Sequence, residues 1–93
     1  MIVTSKKVFR VPDTVICMIE IRNNADDELV DPDSVTITIN KDVQDEPMIK
    51  QSKGVYRYYF QTEGKSPGKY IVIYKITDGE IITVHDDVFY LES

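Results

Sequence analysis

The chain has 93 residues, a formal net charge of −5 and a single cysteine. This length predicts one domain over residues 1–93, the negative charge argues against a nucleic-acid binder, and a lone cysteine excludes an internal disulfide. Val, Ile, Thr, Tyr and Phe account for 39 residues, whereas Ala and Leu together account for three. Because the first group favours strands and the second favours helices, the composition predicts an all-β protein.

No segment has the pattern of a targeting signal or a membrane anchor. The apolar start of the chain is interrupted at Lys6 and Lys7, and no run approaches the ~20 apolar residues of a membrane helix. We therefore expect synthesis in the cytoplasm and no membrane partner. The sequence also lacks a glycine-rich phosphate loop and paired Cys or His clusters, so we expect no cofactor.

The first half of the chain predicts three strands. Ile2–Val11 forms the first, and Pro12 ends it because proline has no amide hydrogen to donate. Thr14–Arg22 forms the second, with alternate apolar residues on one face. An acidic loop over residues 23–34 leads to the third strand, Val35–Asn40, whose strict alternation is typical of a half-buried antiparallel strand.

The second half predicts four more strands after a charged connector at residues 41–46. Asp78-Gly79 is a strong hairpin signal between the last two strands, because both residue types adopt positive φ readily. The four predicted strands are Pro47–Gln51, Val55–Gln61, Lys69–Thr77 and Glu80–Leu91. Seven strands with frequent turns indicate an antiparallel β-sandwich or a small barrel.

The last predicted strand changes its apolar phase. Ile82 and Val84 follow one alternation, whereas Phe89 and Leu91 follow the other. A β-bulge adds one residue to a strand and would restore a common facing for all four side chains. We therefore expect a bulge near Asp86-Asp87.

Three short motifs follow one another along the chain: Val30-Asp31-Pro32, Gly54-Val55-Tyr56 and Gly68-Lys69-Tyr70. Their order resembles that of the short immunoglobulin-like domains of bacteria and their tailed phages, over a span from about Pro12 to Leu91. The resemblance implies a single seven-stranded antiparallel immunoglobulin-like β-sandwich, in which Tyr70 would form a tyrosine corner. The third strand has no Trp and no disulfide joins the sheets, which departs from antibody-like domains.

The resemblance also implies a class of function. Such domains are non-enzymatic interaction modules, and the chain is expected to be a head or tail accessory protein of a phage or prophage virion. Its partner would be a protein of that assembly or further copies of the chain. A cell-surface adhesion module, or one that binds Ca²⁺ or another ligand, is the alternative. Neighbouring capsid and connector genes would favour the virion, whereas export and repeated domains would favour adhesion.

The alternation of two strands leaves apolar residues with no place in the core. If Val15 and Tyr56 face inward with their alternate neighbours, the intervening residues face outward. The second and fifth predicted strands are neighbours in an immunoglobulin topology, so their outward residues would form one exposed patch, with a smaller patch on the other sheet. Such patches usually mark a partner. The predicted interaction residues are Ile16, Met18, Val55, Tyr59, Ile71 and Ile73.

The acidic loop is the candidate site for a small ligand. Five carboxylates lie within eight positions of this loop, and an immunoglobulin topology would place the last hairpin at the same end. Carboxylate oxygens suit Ca²⁺, although the spacing does not match an EF-hand, and charge-rich loops are more often solvated turns. The candidate ligands are Asp26, Asp27, Glu28, Asp31 and Asp33, with Asp78 from the hairpin.

His85 and Cys17 are the remaining candidates for chemistry. His85 precedes Asp86, but adjacent strand residues point to opposite faces and cannot form an oriented pair. Cys17 lies on the apolar face of its strand, where a buried thiol is unreactive. The sequence therefore predicts no catalytic site.

Overall fold

The computed structural model describes residues 8–23 and 25–93. Residues 2–7 of the first predicted strand lie outside the described residues. The described part of the chain forms eight strands and no helix, so the all-β prediction is confirmed, and none of it is a helix long and apolar enough to span a membrane. The strands are β1 Val8–Arg10, β2 Thr14–Glu20, β3 Ser34–Ile39, β4 Val43–Pro47, β5 Ile49–Ser52, β6 Val55–Gln61, β7 Gly68–Asp78 and β8 Ile81–Glu92.

The strands form two sheets that share one core. The large sheet has the order β1-β8-β7-β3-β4, and the small sheet has the order β2-β6-β5. All strand pairs are antiparallel except β1 and β8, which run parallel with Phe9 opposite Leu91. The expectation of seven antiparallel strands is therefore wrong in number and in one pairing. The parallel pair joins distant parts of the chain, and the pattern within a strand carries no information about such a partner.

β4 is the strand that the sequence did not predict. Val43 is its buried residue, and the other four are exposed at the margin of the large sheet. The backbone turns to positive φ at Asp45, whose amide donates a 3.1 Å hydrogen bond to Thr38 Oγ1. An edge strand needs few apolar residues and often carries charges, so its composition is that of a connector.

The core is built from the inward faces of strands of both sheets. Alternate residues of β2 and β3, and of β7 from Tyr70 to Tyr74, are at most 6% exposed, which is the period expected for strands with one buried face. The buried apolar residues are Val15, Cys17, Ile19, Val35, Ile37, Ile39, Val43, Met48, Tyr56, Phe60, Tyr70, Val72, Tyr74, Phe89 and Leu91.

Tyr70 links the start of β7 to the loop before it. Its hydroxyl donates a 2.7 Å hydrogen bond to the carbonyl oxygen of Ser66, the geometry expected of a tyrosine corner. Its ring stacks on Phe89 with 5.3 Å between centroids and lies 5.9 Å from Phe60. This aromatic cluster joins β6 of the small sheet to β7 and β8 of the large sheet.

The bulge expected near Asp86-Asp87 is wrong. β8 pairs with β7 residue by residue, from Leu91 opposite Gly68 to Ile81 opposite Asp78, without a register shift. The hairpin forms where Asp78-Gly79 predicted a turn, although the two turn residues are Gly79-Glu80, with Gly79 at φ 62°. Because the pairing is continuous, Ile82 and Val84 face the opposite side of β8 from Phe89 and Leu91, and therefore away from the core.

Candidate interaction surfaces

The outer face of the small sheet carries an exposed apolar cluster. Ile16 on β2 lies directly opposite Tyr59 on β6, and the two are 49% and 44% exposed. Met18 and Val55 lie on the same face and are half-buried. These four residues, which the strand alternation indicated as outward, are called the small-sheet patch below.

The small-sheet patch continues onto β5 through Ile49, which the sequence analysis did not indicate. Arg57 on β6 lies opposite both Met18 and Ile49, and Ile49 is 56% exposed. Arg57 Nε is buried and has no hydrogen-bond partner among the described residues. The side chain therefore lies along the face of the sheet and does not extend into solvent as far as Nε. Adjacent strand residues face opposite ways, so an inward Met48 would have predicted an outward Ile49.

Polar groups border the small-sheet patch at both ends. Thr14 Oγ1 donates a 2.9 Å hydrogen bond to Gln61 Oε1 at one end. Arg22 Nη2 lies 3.5 Å from Glu20 Oε1 at the other. An apolar centre with a polar rim is the usual composition of a protein interface.

The outer face of the large sheet carries a second apolar cluster. Ile71 and Ile73 face outward on β7, 47% and 38% exposed. The opposing strand adds Val88, which pairs with Ile71, and also Ile82 and Val84, which are 58% and 62% exposed. These five residues are called the large-sheet patch. The expected bulge would have turned Ile82 and Val84 inward, which is why the sequence did not indicate them.

The acidic loop and the last hairpin meet at one end of the molecule. Asp33 Oδ2 accepts a 2.7 Å hydrogen bond from the Gly79 amide. Asp26 Oδ1 accepts a 3.1 Å hydrogen bond from the Glu28 amide, and Asp78 lies exposed at the end of β7. The proximity of the two segments follows the expectation from the topology.

Asp31 is held by a side chain of β5 and by the turn between β5 and β6. Its carboxylate accepts 2.8 Å hydrogen bonds from Lys50 Nζ and from the Gly54 amide. These bonds, that of Lys50 first, lower the pKa of Asp31 below its ordinary value. Gly54 has φ 72°, and a Cβ there would lie 2.9 Å from Leu29 Cβ, so this turn requires glycine.

The candidate Ca²⁺ ligands do not converge on one point. Asp31 binds Lys50 and the Gly54 amide, and Asp33 binds the Gly79 amide. The backbone at Asp27 has a positive φ of 59°. Within residues 8–23 and 25–93, no three His, Cys, Asp or Glu side chains are arranged to hold a metal ion. Asp31 and Asp33 thus join the acidic loop to the turn between β5 and β6 and to the last hairpin.

Cys17 and His85 lie in contrasting environments. Cys17 is 4% exposed and forms a hydrogen bond with Tyr74, and desolvation raises the pKa of its thiol to about 12. His85 is exposed on β8 opposite Tyr74, and Asp86 lies on the other face of the strand. The two side chains that could serve as a nucleophile and a base are thus a buried neutral thiol and a solvated imidazole.

Comparison with known proteins gave no match: no protein-family model, curated protein or solved structure is significantly similar to this chain. The function is therefore inferred from the two apolar patches and from the arrangement of the strands.

Proposed function

We propose that this chain is a non-enzymatic, immunoglobulin-like protein-interaction module that docks through the small-sheet patch. In line with the motif resemblance, the proposed partner is a structural protein of a phage or prophage head or tail. The chain would act as an accessory protein of that virion.

The strand order supports the immunoglobulin-like assignment. An immunoglobulin sandwich places its second, fifth and fourth strands in one sheet and its third, sixth and seventh strands in the other. The small sheet β2-β6-β5 corresponds to the first group, and β3, β7 and β8 of the large sheet correspond to the second. Tyr70 at the start of β7 occupies the place of the tyrosine corner in such domains.

The observation that carries the proposed docking role is the exposed pair of Ile16 and Tyr59. Large apolar side chains that face each other across a ladder bury one another only in part, and both remain nearly half exposed. Contiguous exposed apolar surface with a polar rim marks protein-binding sites, and tyrosine is enriched at the centre of interfaces. A partner that covers this pair would remove the apolar surface from water.

Co-sedimentation with purified virions, heads and tails from the native source tests the proposal. We expect wild-type protein to bind one of these particles, and Tyr59→Lys and Ile16→Lys to weaken binding at least about tenfold, because each places a charge in the contact. Glu63→Lys is the control, since Glu63 is an exposed loop residue outside both patches. Circular dichroism establishes that each variant is folded.

Two results would contradict the proposal. The first is an absence of binding to every particle, and the second is binding that Tyr59→Lys leaves unchanged. Retention on bacterial cells, lost in Tyr59→Lys, would assign the chain to adhesion instead.

A further inference from the structure

Four residues at the centre of the large sheet's outer face form a square with one charged and one apolar diagonal. Ile73 on β7 lies opposite Asp86 on β8, and Lys75, two positions further along β7, lies opposite Val84. One diagonal therefore joins Lys75 to Asp86, and the other joins Ile73 to Val84. All four side chains are exposed.

The two charges of this square, Lys75 and Asp86, have no ionic partner among residues 8–23 and 25–93. They are diagonal neighbours, about 7–8 Å apart at the backbone, and the apolar side chains of Ile73 and Val84 lie beside both of them. A charge set within an apolar patch disfavours an apolar partner unless that partner supplies the opposite charge.

A second copy of the same face supplies both opposite charges at once. In a two-fold symmetric interface, a residue that contacts another across the axis is matched by the reciprocal contact. We propose that the large-sheet patch packs against the same patch of a second copy, about a two-fold axis that crosses β7 and β8 through the centre of the square. Lys75 of each copy then pairs with Asp86 of the other.

The register of β7 and β8 fixes the other contacts of this arrangement. With the axis across the strands, each strand faces its own counterpart in the reverse direction. Lys75 then lies level with Asp86 of the second copy, about one strand spacing of 4.8 Å to the side, within reach of a lysine side chain. Ile82 faces Val88 of the second copy, and the stem of Lys75 packs on the second copy's Ile73.

The area of the face predicts a weak dimer. The outer face of β8, β7, β3 and β4, which includes the large-sheet patch, extends about 26 Å along the strands and about 19 Å across them, or about 500 Å² per copy. The total of about 1,000 Å² lies at the lower limit for specific interfaces. We therefore expect a dissociation constant of about 1–100 µM, measurable by sedimentation velocity.

Charge reversal tests this arrangement without loss of the fold, because both residues are exposed. We expect Lys75→Glu and Asp86→Lys each to weaken the dimer at least about tenfold, since each places like charges together twice. The double variant Lys75→Glu/Asp86→Lys restores the pair and should return the dissociation constant to within about threefold of wild type. Lys41→Glu, at the turn between β3 and β4, is the control with the same change in net charge as Lys75→Glu.

Sedimentation also distinguishes this inference from the proposed function, which concerns the small-sheet patch. Tyr59→Lys should leave the dimer unchanged, and charge reversal at Lys75 should leave the dimer-independent binding to particles in place. A wild-type protein that stays monomeric at about 1 mM would overturn the inference. So would a dimer that survives Lys75→Glu, or one that the double variant fails to restore. A dimer lost only in Tyr59→Lys would mean that copies meet through the small sheet, which would equally overturn it.

Discussion

The Tyr70 hydroxyl donates a hydrogen bond to the carbonyl oxygen of Ser66, four residues upstream, across 2.7 Å. Tyr70 is 6% exposed, so water cannot readily replace this bond if it is lost. The bond fixes the loop that brings the chain from β6 in the small sheet to β7 in the large sheet. The position of the large-sheet patch therefore depends on it indirectly.

Tyr70→Phe should lower the free energy of unfolding by about 1–2 kcal/mol, because the ring remains but a partly buried carbonyl loses its donor. Urea denaturation followed by circular dichroism measures the change. Tyr90→Phe is the matched control, since Tyr90 is 44% exposed, and it should change stability by less than about 0.5 kcal/mol. Equal effects of the two substitutions would argue against the corner bond.

The sequence predicted the elements in which alternation is regular. β6 spans Val55–Gln61 as predicted, and β3 and β7 differ from their predicted bounds by one residue at each end. In these strands side-chain burial decides the pattern, so the pattern also indicates which residues face outward, as at Tyr59 on β6. The outward residues of the small-sheet patch on β2 and β6 could be predicted for this reason.

The sequence did not predict features that depend on distant parts of the chain. β4 lies at the edge of its sheet and buries only Val43, so its other residues can be polar. Ile82 and Val84 alternate out of phase with Phe89 and Leu91 because they are exposed where the core does not extend. The backbone of β8 has no register shift between these residues. A pattern of apolar residues indicates a facing only where the core extends. Ile71 and Ile73 of the large-sheet patch could therefore be predicted, whereas its residues on β8 could be assigned only from the structure.

Adjacent residues of β6 should respond in opposite ways to substitution. Phe60 is 3% exposed and contacts Tyr70 and Phe89, so Phe60→Ala should cost about 3–5 kcal/mol of unfolding free energy. Tyr59→Lys should cost less than about 1 kcal/mol, since its side chain faces solvent. Denaturant titration of both variants checks the phase of β6, and a large loss in Tyr59→Lys would contradict it.

The hydrogen bonds of Asp31 should appear in the acid stability of the protein. Because these bonds lower the pKa of Asp31 in the folded state, the unfolded carboxylate takes up a proton first as the pH falls. The stabilisation is therefore complete above the ordinary value of 3.8 and is lost as the pH falls through the folded-state pKa. Asp31→Asn keeps an acceptor for the Gly54 amide but cannot titrate.

Melting temperatures between pH 5 and 2 measure this effect. The melting temperature of wild type should fall more steeply below pH 4 than that of Asp31→Asn, and the two should converge at the acid end. Glu63→Gln removes an exposed carboxylate in the loop between β6 and β7 and should follow the wild-type curve. Parallel curves for wild type and Asp31→Asn would show that Lys50 and Gly54 do not stabilise the charged form.

Burial of Cys17 should make the protein less stable in alkali. Its thiol has a pKa of about 12 in the fold against 9.0 ordinarily, so the unfolded chain releases the proton first as the pH rises. The unfolded state then binds fewer protons, and the free energy of unfolding falls by up to about 1.4 kcal/mol per pH unit. Burial also raises the pKa of Tyr74, whose contribution begins near its ordinary value of 10.

Comparison with Cys17→Ala between pH 9 and 10 isolates the thiol, because the tyrosines whose pKa burial raises (Tyr56, Tyr58 and Tyr74) are present in both proteins. Cys17→Ala should be less stable at pH 7 by about 1 kcal/mol because it leaves a small cavity. Its stability should nevertheless decline less steeply than that of wild type from pH 9 to 10, measured by urea denaturation. Iodoacetamide should label native Cys17 only at the rate of unfolding. Rapid labelling at pH 8 under native conditions would contradict the buried position of the thiol between the sheets.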